Sequence, residues 1–403
     1  MAMISSSPLQ CAALHGLTHT TKSLILAGTT DAEVIEALIA ASYSGHKGVV
    51  TLLLDRDIDI NKNGANNYNA LQTAALNGHI DIVDLLLEKQ ADVNAVGGRY
   101  GNALHAAASS GHKRIVELLL ERQADVNAQG GPSNNALQAA SSYGCRDIVE
   151  LLLDKGANVN AHGGGFGNAL HVASSEGYKD IVELLLARQA DVNAQGEYYG
   201  SALQSASSSG HKDIVELLLE NEADVNAQGG YYANALQVAS LEGYKDIVKL
   251  LLERQADVNA QGGLYGTALQ AASSRGYSDI VELLLEGQAD VNACGGHYGN
   301  ALQAASFEGH KGVVELLLQY GANGKRNYPV DMRWWNQQKD MHDEAKMDNS
   351  LQGAAIHGHE EIVLLLLQNG AEQEHLNIAL QAAEERDHNN IVGLLLNHGA
   401  KYE

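Results

Sequence analysis

The sequence predicts an all-α repeat solenoid of about twelve stacked helix–turn–helix units joined by β-hairpin fingers. Three observations predict it. First, a leucine opens the same local pattern at Leu38, Leu71, Leu104, Leu137, Leu170, Leu203, Leu236, Leu269 and Leu302, each 33 residues after the last (71 − 38, 104 − 71 and so on). Second, every such unit carries two short apolar stripes at helical spacing with a glycine between them. Third, only 3 prolines occur in 403 residues, so few positions break a helix.

The unit from Asn102 to Gln129 shows how each element arises. Asn102 is placed to cap a helix starting near Ala103, because its side chain can accept an amide hydrogen the first turn leaves unpaired. Leu104, Ala107 and Ala108 lie three or four residues apart and share one face, and the alanines let a neighbouring helix come close. Gly111 ends this helix, since a left-handed residue costs least at glycine. A second helix follows, with Ile115, Val116, Leu118, Leu119 and Leu120 on the apolar side and Lys113, Arg114, Glu117 and Glu121 towards water. Asp125 to Gly131 is rich in turn formers and suits an extended finger with a tight tip.

One unit cannot bury both stripes, so it must stack on its neighbours. Weaker copies open at Leu9, Leu351 and Leu380, with spacings of 29, 49 and 29 (38 − 9, 351 − 302, 380 − 351). The expected organisation is a degenerate capping unit over residues 1–30, nine regular units over 31–323, an insertion or decayed repeat over 324–349 and two further units over 350–403. The insertion holds both tryptophans, Trp334 and Trp335, which either plug a gap in the stack or form a binding loop.

Leu104-His105-x-Ala107-Ala108, Gly111-His112, Ile115-Val116-x-Leu118-Leu119 and Ala124-Asp125-Val126-Asn127 resemble the ankyrin repeat, and the same positions recur over about nine-tenths of the chain. The family's Thr-Pro-Leu-His reads Asn-Ala-Leu-Gln in most units, with the histidine kept at His105 and His171. The fingers read Gln-Gly-Gly-Tyr-Tyr-Gly rather than the family's Asp-x-x-Gly. This dialect looks like the ankyrin arrays of filamentous fungi. The resemblance implies a protein–protein interaction scaffold whose fingers and short inner helices line a concave surface. Its alternative implication is a C-terminal sensor array of a larger NACHT-type NTPase receptor or another multidomain protein.

Twenty-six basic against 49 acidic residues give a formal net charge of -23, which repels phosphate backbones and anionic lipid headgroups. A protein partner is expected, with no nucleic acid and no membrane, and the array is expected to be monomeric. Cys11, Cys145 and Cys294 are too far apart for a disulfide framework or zinc site, which fits a reducing intracellular compartment, cytoplasm or nucleus. No basic region followed by an apolar stretch marks a signal peptide, and no apolar run approaches the ~18 residues of a membrane span.

No pattern points to catalysis, a cofactor or a metal. His46, His79, His112, His211, His310 and His359 share one inter-helix turn position that Tyr178, Tyr244 and Tyr277 fill elsewhere, so a structural hydrogen bond is expected there. Glycine pairs such as Gly130-Gly131 lack the following Lys-Ser/Thr of a phosphate loop. The recurring Asp-Val-Asn supplies one carboxylate per unit, too few for calcium, and its asparagine is expected to tie the finger backbone.

The positions that suggest recognition lie on the fingers. Four residues before the landmark leucine stand Tyr100, Phe166, Tyr199, Tyr232, Tyr265 and Tyr298, with Ser133 the exception, and one residue earlier stand Tyr198, Tyr231 and His297. Tyrosine gives large amphipathic contact area at low entropic cost. The same rings could instead pack on one another and stiffen the finger row. On the inner helix, Leu76, Leu241 and Phe307 replace serines, and Tyr143, Glu176, Glu242, Arg275 and Glu308 vary one residue on. Leu241, Phe307, Trp334 and Trp335 complete the candidate partner-binding set.

Overall fold

The computed structural model describes residues 7–131, 134–165, 167–198, 200–231, 233–323 and 350–401. Among these the chain forms 24 helices in twelve antiparallel-type helix–turn–helix pairs, which is the all-α repeat solenoid the 33-residue period predicts. The chain divides into two units, Met1–Gly196 and Glu197–Glu403, each holding six pairs.

The first unit runs from Pro8–Leu14 and Thr18–Leu26 to Ala169–Glu176 and Lys179–Ala187. The second runs from Ala202–Ser209 and Lys212–Glu220 to Gln373–Glu385 and Asn389–Asn397. The pair Ala235–Glu242 and Lys245–Glu253 is representative. Asn234 accepts the Gln237 amide hydrogen, the Gln237 side chain returns to the Asn234 N–H, and Gly243 closes the helix at φ 84°. The outer helix buries Ile247, Val248, Leu250 and Leu251. Within each unit, successive inner helices pack closely through Ala and Leu, whereas outer helices touch far less, as the small inner-face side chains dictate. Each wholly buried Leu or Ile contributes roughly 1.5–3 kcal/mol, gained only where two repeats meet.

The turn histidines tie repeat to repeat. Nε2–H of His46, His79 and His112 donates to the carbonyls of Leu14 (3.1 Å), Tyr43 (2.9 Å) and Leu76 (3.1 Å), each at the end of the preceding inner helix. His310, His359 and His388 do the same to Ser274, Phe307 and Ile356 at 3.1, 3.0 and 3.1 Å. The ring lies flat on the preceding turn glycine: a Cβ added at Gly243 would stand 2.7 Å from the Tyr277 ring, and φ there is left-handed. Histidine and tyrosine therefore alternate as flat plates on glycine, which is why the position tolerates both.

The irregular spacings have two different causes. Where the period is 29, the finger is absent and the next inner helix extends backwards, giving the long helices Asp31–Ser44 and Gln373–Glu385. Where it is 49, Ser350–Ile356 packs directly on Ala301–Glu308 and Lys311 reaches Glu361 at 3.0 Å. Among the described residues no helix lies between these two pairs. Residues 324–349, with Trp334 and Trp335, lie outside the described residues.

The fingers correct one expectation. Among the described residues they are not two-stranded hairpins but tight turns closed by single bridges, Gly97 to Gly101, Gly229 to Ala233, Gly262 to Gly266 and Gly295 to Gly299. Five residues are too few for a strand ladder; Gly97 N–H donates to the Gly101 carbonyl at 2.7 Å.

Candidate partner-binding surface

Two side-chain ladders hold the fingers in line. The asparagine of each Asp-x-Asn accepts a backbone N–H from the next repeat: Asn94 from Asp125, Asn127 from Asn158, Asn226 from Asp257 at 2.8 Å each, and Asn259 from Asp290 at 2.7 Å. The aspartate accepts the N–H two residues on within its own turn, as Asp257 does from Asn259 at 3.0 Å. This arrangement uses the Asp-Val-Asn motif for structure.

The second ladder is the buried glutamine of Asn-Ala-Leu-Gln. Nε2 of Gln72 donates to the Gly101 carbonyl at 2.9 Å, Gln138 to Gly167 at 2.7 Å, and Gln204, Gln237 and Gln270 to Ala233, Gly266 and Gly299 at 2.8 Å. In several repeats its Oε1 also accepts the N-cap N–H, for instance Thr267 to Gln270 at 2.7 Å. One side chain thus caps its own helix and clamps the next finger. Sequence reasoning missed this role, although its recurrence on a buried helical face was the available signal. Where histidine replaces it, His105 Nδ1–H donates to the Gly130 carbonyl at 2.9 Å, and burial pushes its pKa down to about 4, so it stands neutral at pH 7.

On this frame sit the finger aromatics. Tyr198 and Tyr231 stack with centroids 6.4 Å apart and planes 7° apart, and they are 52% and 44% exposed. Tyr265 and Tyr298 stack at 6.5 Å and are half-buried. In the first unit Tyr68 and Tyr100 lie 6.4 Å apart, tilted. Backbone bonds join fingers sideways, Tyr231 N–H to the Tyr198 carbonyl at 3.0 Å and His297 N–H to the Leu264 carbonyl at 2.8 Å. The rings therefore both pack on one another and keep a face to water. Phe166, Tyr199 and Tyr232 lie outside the described residues.

Leu241 and Phe307 are corrected. They are 3% and 8% exposed, and belong to the core rather than to an open face. The Phe307 ring is covered by Tyr298 from its own repeat's finger and by His357 from the next repeat, at 5.7 and 4.0 Å. In these two repeats this position of the inner helix points into the stack, and the next residue is the one that emerges. There Tyr143, Glu176, Glu242, Arg275 and Glu308 are all exposed. Tyr298 hydroxyl donates to Glu308 at 2.5 Å. Burial raises the Tyr265 pKa; Arg275 opposes that shift, while Tyr231, Glu242 and Glu308 add to it, which places these side chains in one neighbourhood.

The described residues contain no cluster of three or more His, Cys, Asp or Glu that could hold a metal ion. No described helix is long and apolar enough to cross a membrane. What the surface offers is aromatic and charged contact area on a hydrogen-bonded frame.

Comparison with known families agrees with this geometry. The family model of ankyrin repeats (3 copies) matches residues 9–97, 38–130, 96–163, 129–196, 170–262 and 236–328, so the overlapping matches run without a gap from 9 to 328. Ankyrin repeats are generally protein–protein interaction modules and generally not catalytic. No curated protein matches the chain.

Proposed function

We propose that this chain, which belongs to the ankyrin-repeat family, is a non-catalytic scaffold that holds a partner protein across its finger tyrosines and inner-helix ends. The observation that carries the reading is the division of labour within each repeat. The turn histidine or tyrosine, the buried glutamine and the finger asparagine recur because the stack consumes them. The residues free to differ, Tyr143, Glu176, Glu242, Arg275 and Glu308, are exposed, and Glu242, Arg275 and Glu308 emerge beside Tyr265. Exposed, variable positions on a fixed frame are how a repeat array encodes a partner.

The test is the full chain with Tyr198→Ser, Tyr231→Ser, Tyr265→Ser and Tyr298→Ser together. Helical circular dichroism is expected to stay close to that of the parent, while capture of the native partner from cell extract falls by about tenfold or more. Undiminished capture by a folded variant would remove the surface from consideration.

A further inference from the structure

We infer that the finger row between Tyr198 and Glu308 takes an extended basic segment whose Arg or Lys side chains fall at every second position. This rests on the partner-binding reading above and names the chemistry of the partner.

The first ground is a distance. Stacked tyrosines of successive repeats are 6.4 Å apart for Tyr198 and Tyr231 and 6.5 Å apart for Tyr265 and Tyr298. Tyr68 and Tyr100 also lie 6.4 Å apart, tilted by 49° rather than stacked. An extended chain advances about 3.3 Å per residue and about 6.6 Å per two residues. A segment lying across either stacked pair therefore meets its two rings with alternate side chains, and the mismatch over that step is only about 0.1–0.2 Å. The step is held by the sideways backbone bonds from Tyr231 to Tyr198 and from His297 to Leu264.

The second ground is where the charges lie. Between Glu197 and Tyr320 the basic residues are Lys212, Lys245, Lys249, Arg254, Arg275 and Lys311. The four lysines lie in outer helices, and Arg254 at the end of one reaches Glu216 at 4.0 Å. Lys245 and Lys311 are further occupied by Asp279 and Glu361 of the next outer helices, at 3.4 and 3.0 Å. On the fingers and inner helices of this stretch Arg275 is thus the single Lys or Arg, against exposed carboxylates that include Glu242, Asp257 and Glu308. The tyrosine side of these repeats is acidic because the outer helices absorb the cations.

The two grounds meet in one ligand chemistry. A guanidinium or ammonium gains from an aromatic face and from a carboxylate beside it, and the ring faces and carboxylates here lie in the same repeats. A segment with clustered cations would match the net charge but not the step. Alternation is what the step adds.

Fluorescence anisotropy with three labelled decapeptides tests this on the full chain: Arg-Ser five times over, five Arg followed by five Ser, and Glu-Ser five times over. The alternating basic peptide is expected to bind about tenfold or more tighter than the block peptide of the same composition, and the acidic one weakest. The four-tyrosine serine variant should abolish the preference for alternation, whereas Tyr198→Phe with Tyr231→Phe, which keeps the rings, should retain it. Glu242→Gln with Glu308→Gln should weaken both basic peptides and flatten their salt dependence. Equal binding of alternating and block peptides, or a preference that survives in the folded serine variant, overturns the inference. If native-partner capture depends on the tyrosines yet alternation gives no preference, the scaffold reading stands and this inference falls. If capture ignores the tyrosines, both fall.

Discussion

At the residue scale, the fourth position of the inner-helix motif does more than its size suggests. Glutamine supplies an uncharged donor to the next finger and an acceptor to its own helix start, as Gln270 shows. Histidine at this site keeps the donor but adds a titration. The His105 imidazole is 1% exposed as a residue, and burial lowers its pKa from 6.5 to about 4. Between those values the unfolded chain holds a proton that the folded chain refuses, so stability rises with pH across that window. The contribution is full above 6.5 and is lost as pH falls towards 4. His105→Gln, which cannot titrate, is therefore expected to gain about 2 kcal/mol on the parent when urea unfolding at pH 7 is compared with pH 5. An identical pH dependence in both proteins would show that the imidazole is not held neutral.

At the element scale, the outer helices end on an unfavourable residue. Gln90, Gln123, Gln189, Gln255 and Gln288 take φ of 65–67°, the left-handed region. The equivalent residue is Gly156, Gly321, Gly370 or Gly399 in other repeats, at φ 85–94°. A side chain in this region costs about 1–2 kcal/mol, partly offset by the extra freedom glycine has when unfolded. Gln255→Gly is thus expected to stabilise the protein by about 0.5–1 kcal/mol, read as a higher urea midpoint. A lower midpoint would mean that the glutamine side chain contributes a contact stronger than this strain. The two long helices make a related point. Deleting four residues between repeats removes the finger, and the chain then continues as helix, because a tight turn no longer has to be reached.

At the scale of the whole molecule, charge is the dominant long-range term. A net charge of -23 works against any compact state. The ion pairs along the outer helices, such as Lys113–Asp147 at 3.6 Å and Lys245–Asp279 at 3.4 Å, are exposed and contribute roughly 0–1 kcal/mol each. Screening should therefore relieve more repulsion than it removes attraction. Raising ionic strength from about 0.01 M to about 0.15 M shortens the Debye length from about 30 Å to about 8 Å, and the thermal midpoint is expected to rise. A falling midpoint would show instead that the cross-repeat ion pairs outweigh the net charge.

The period, the helix pairs, the glycine turns and the structural use of the histidines and asparagines were all determined by the sequence itself. Each follows from local chemistry that repeats: an Asn cap, a left-handed glycine, an apolar face every 33 residues. Only the tertiary structure decided which of two adjacent inner-helix positions is open. Leu241 and Phe307 differ from Glu242 and Glu308 by one residue, about a quarter of a helical turn, and burial depends on what the next repeat brings opposite them. The same holds for the glutamine clamp, whose partners are 29 residues away, and for the step at 302 to 351, across which Ala301–Glu308 and Ser350–Ile356 pack on each other. Periodicity is written along the chain. Which side of each repeat faces its neighbour, and the 6.4 Å step this sets between tyrosines, exist only once the repeats are stacked.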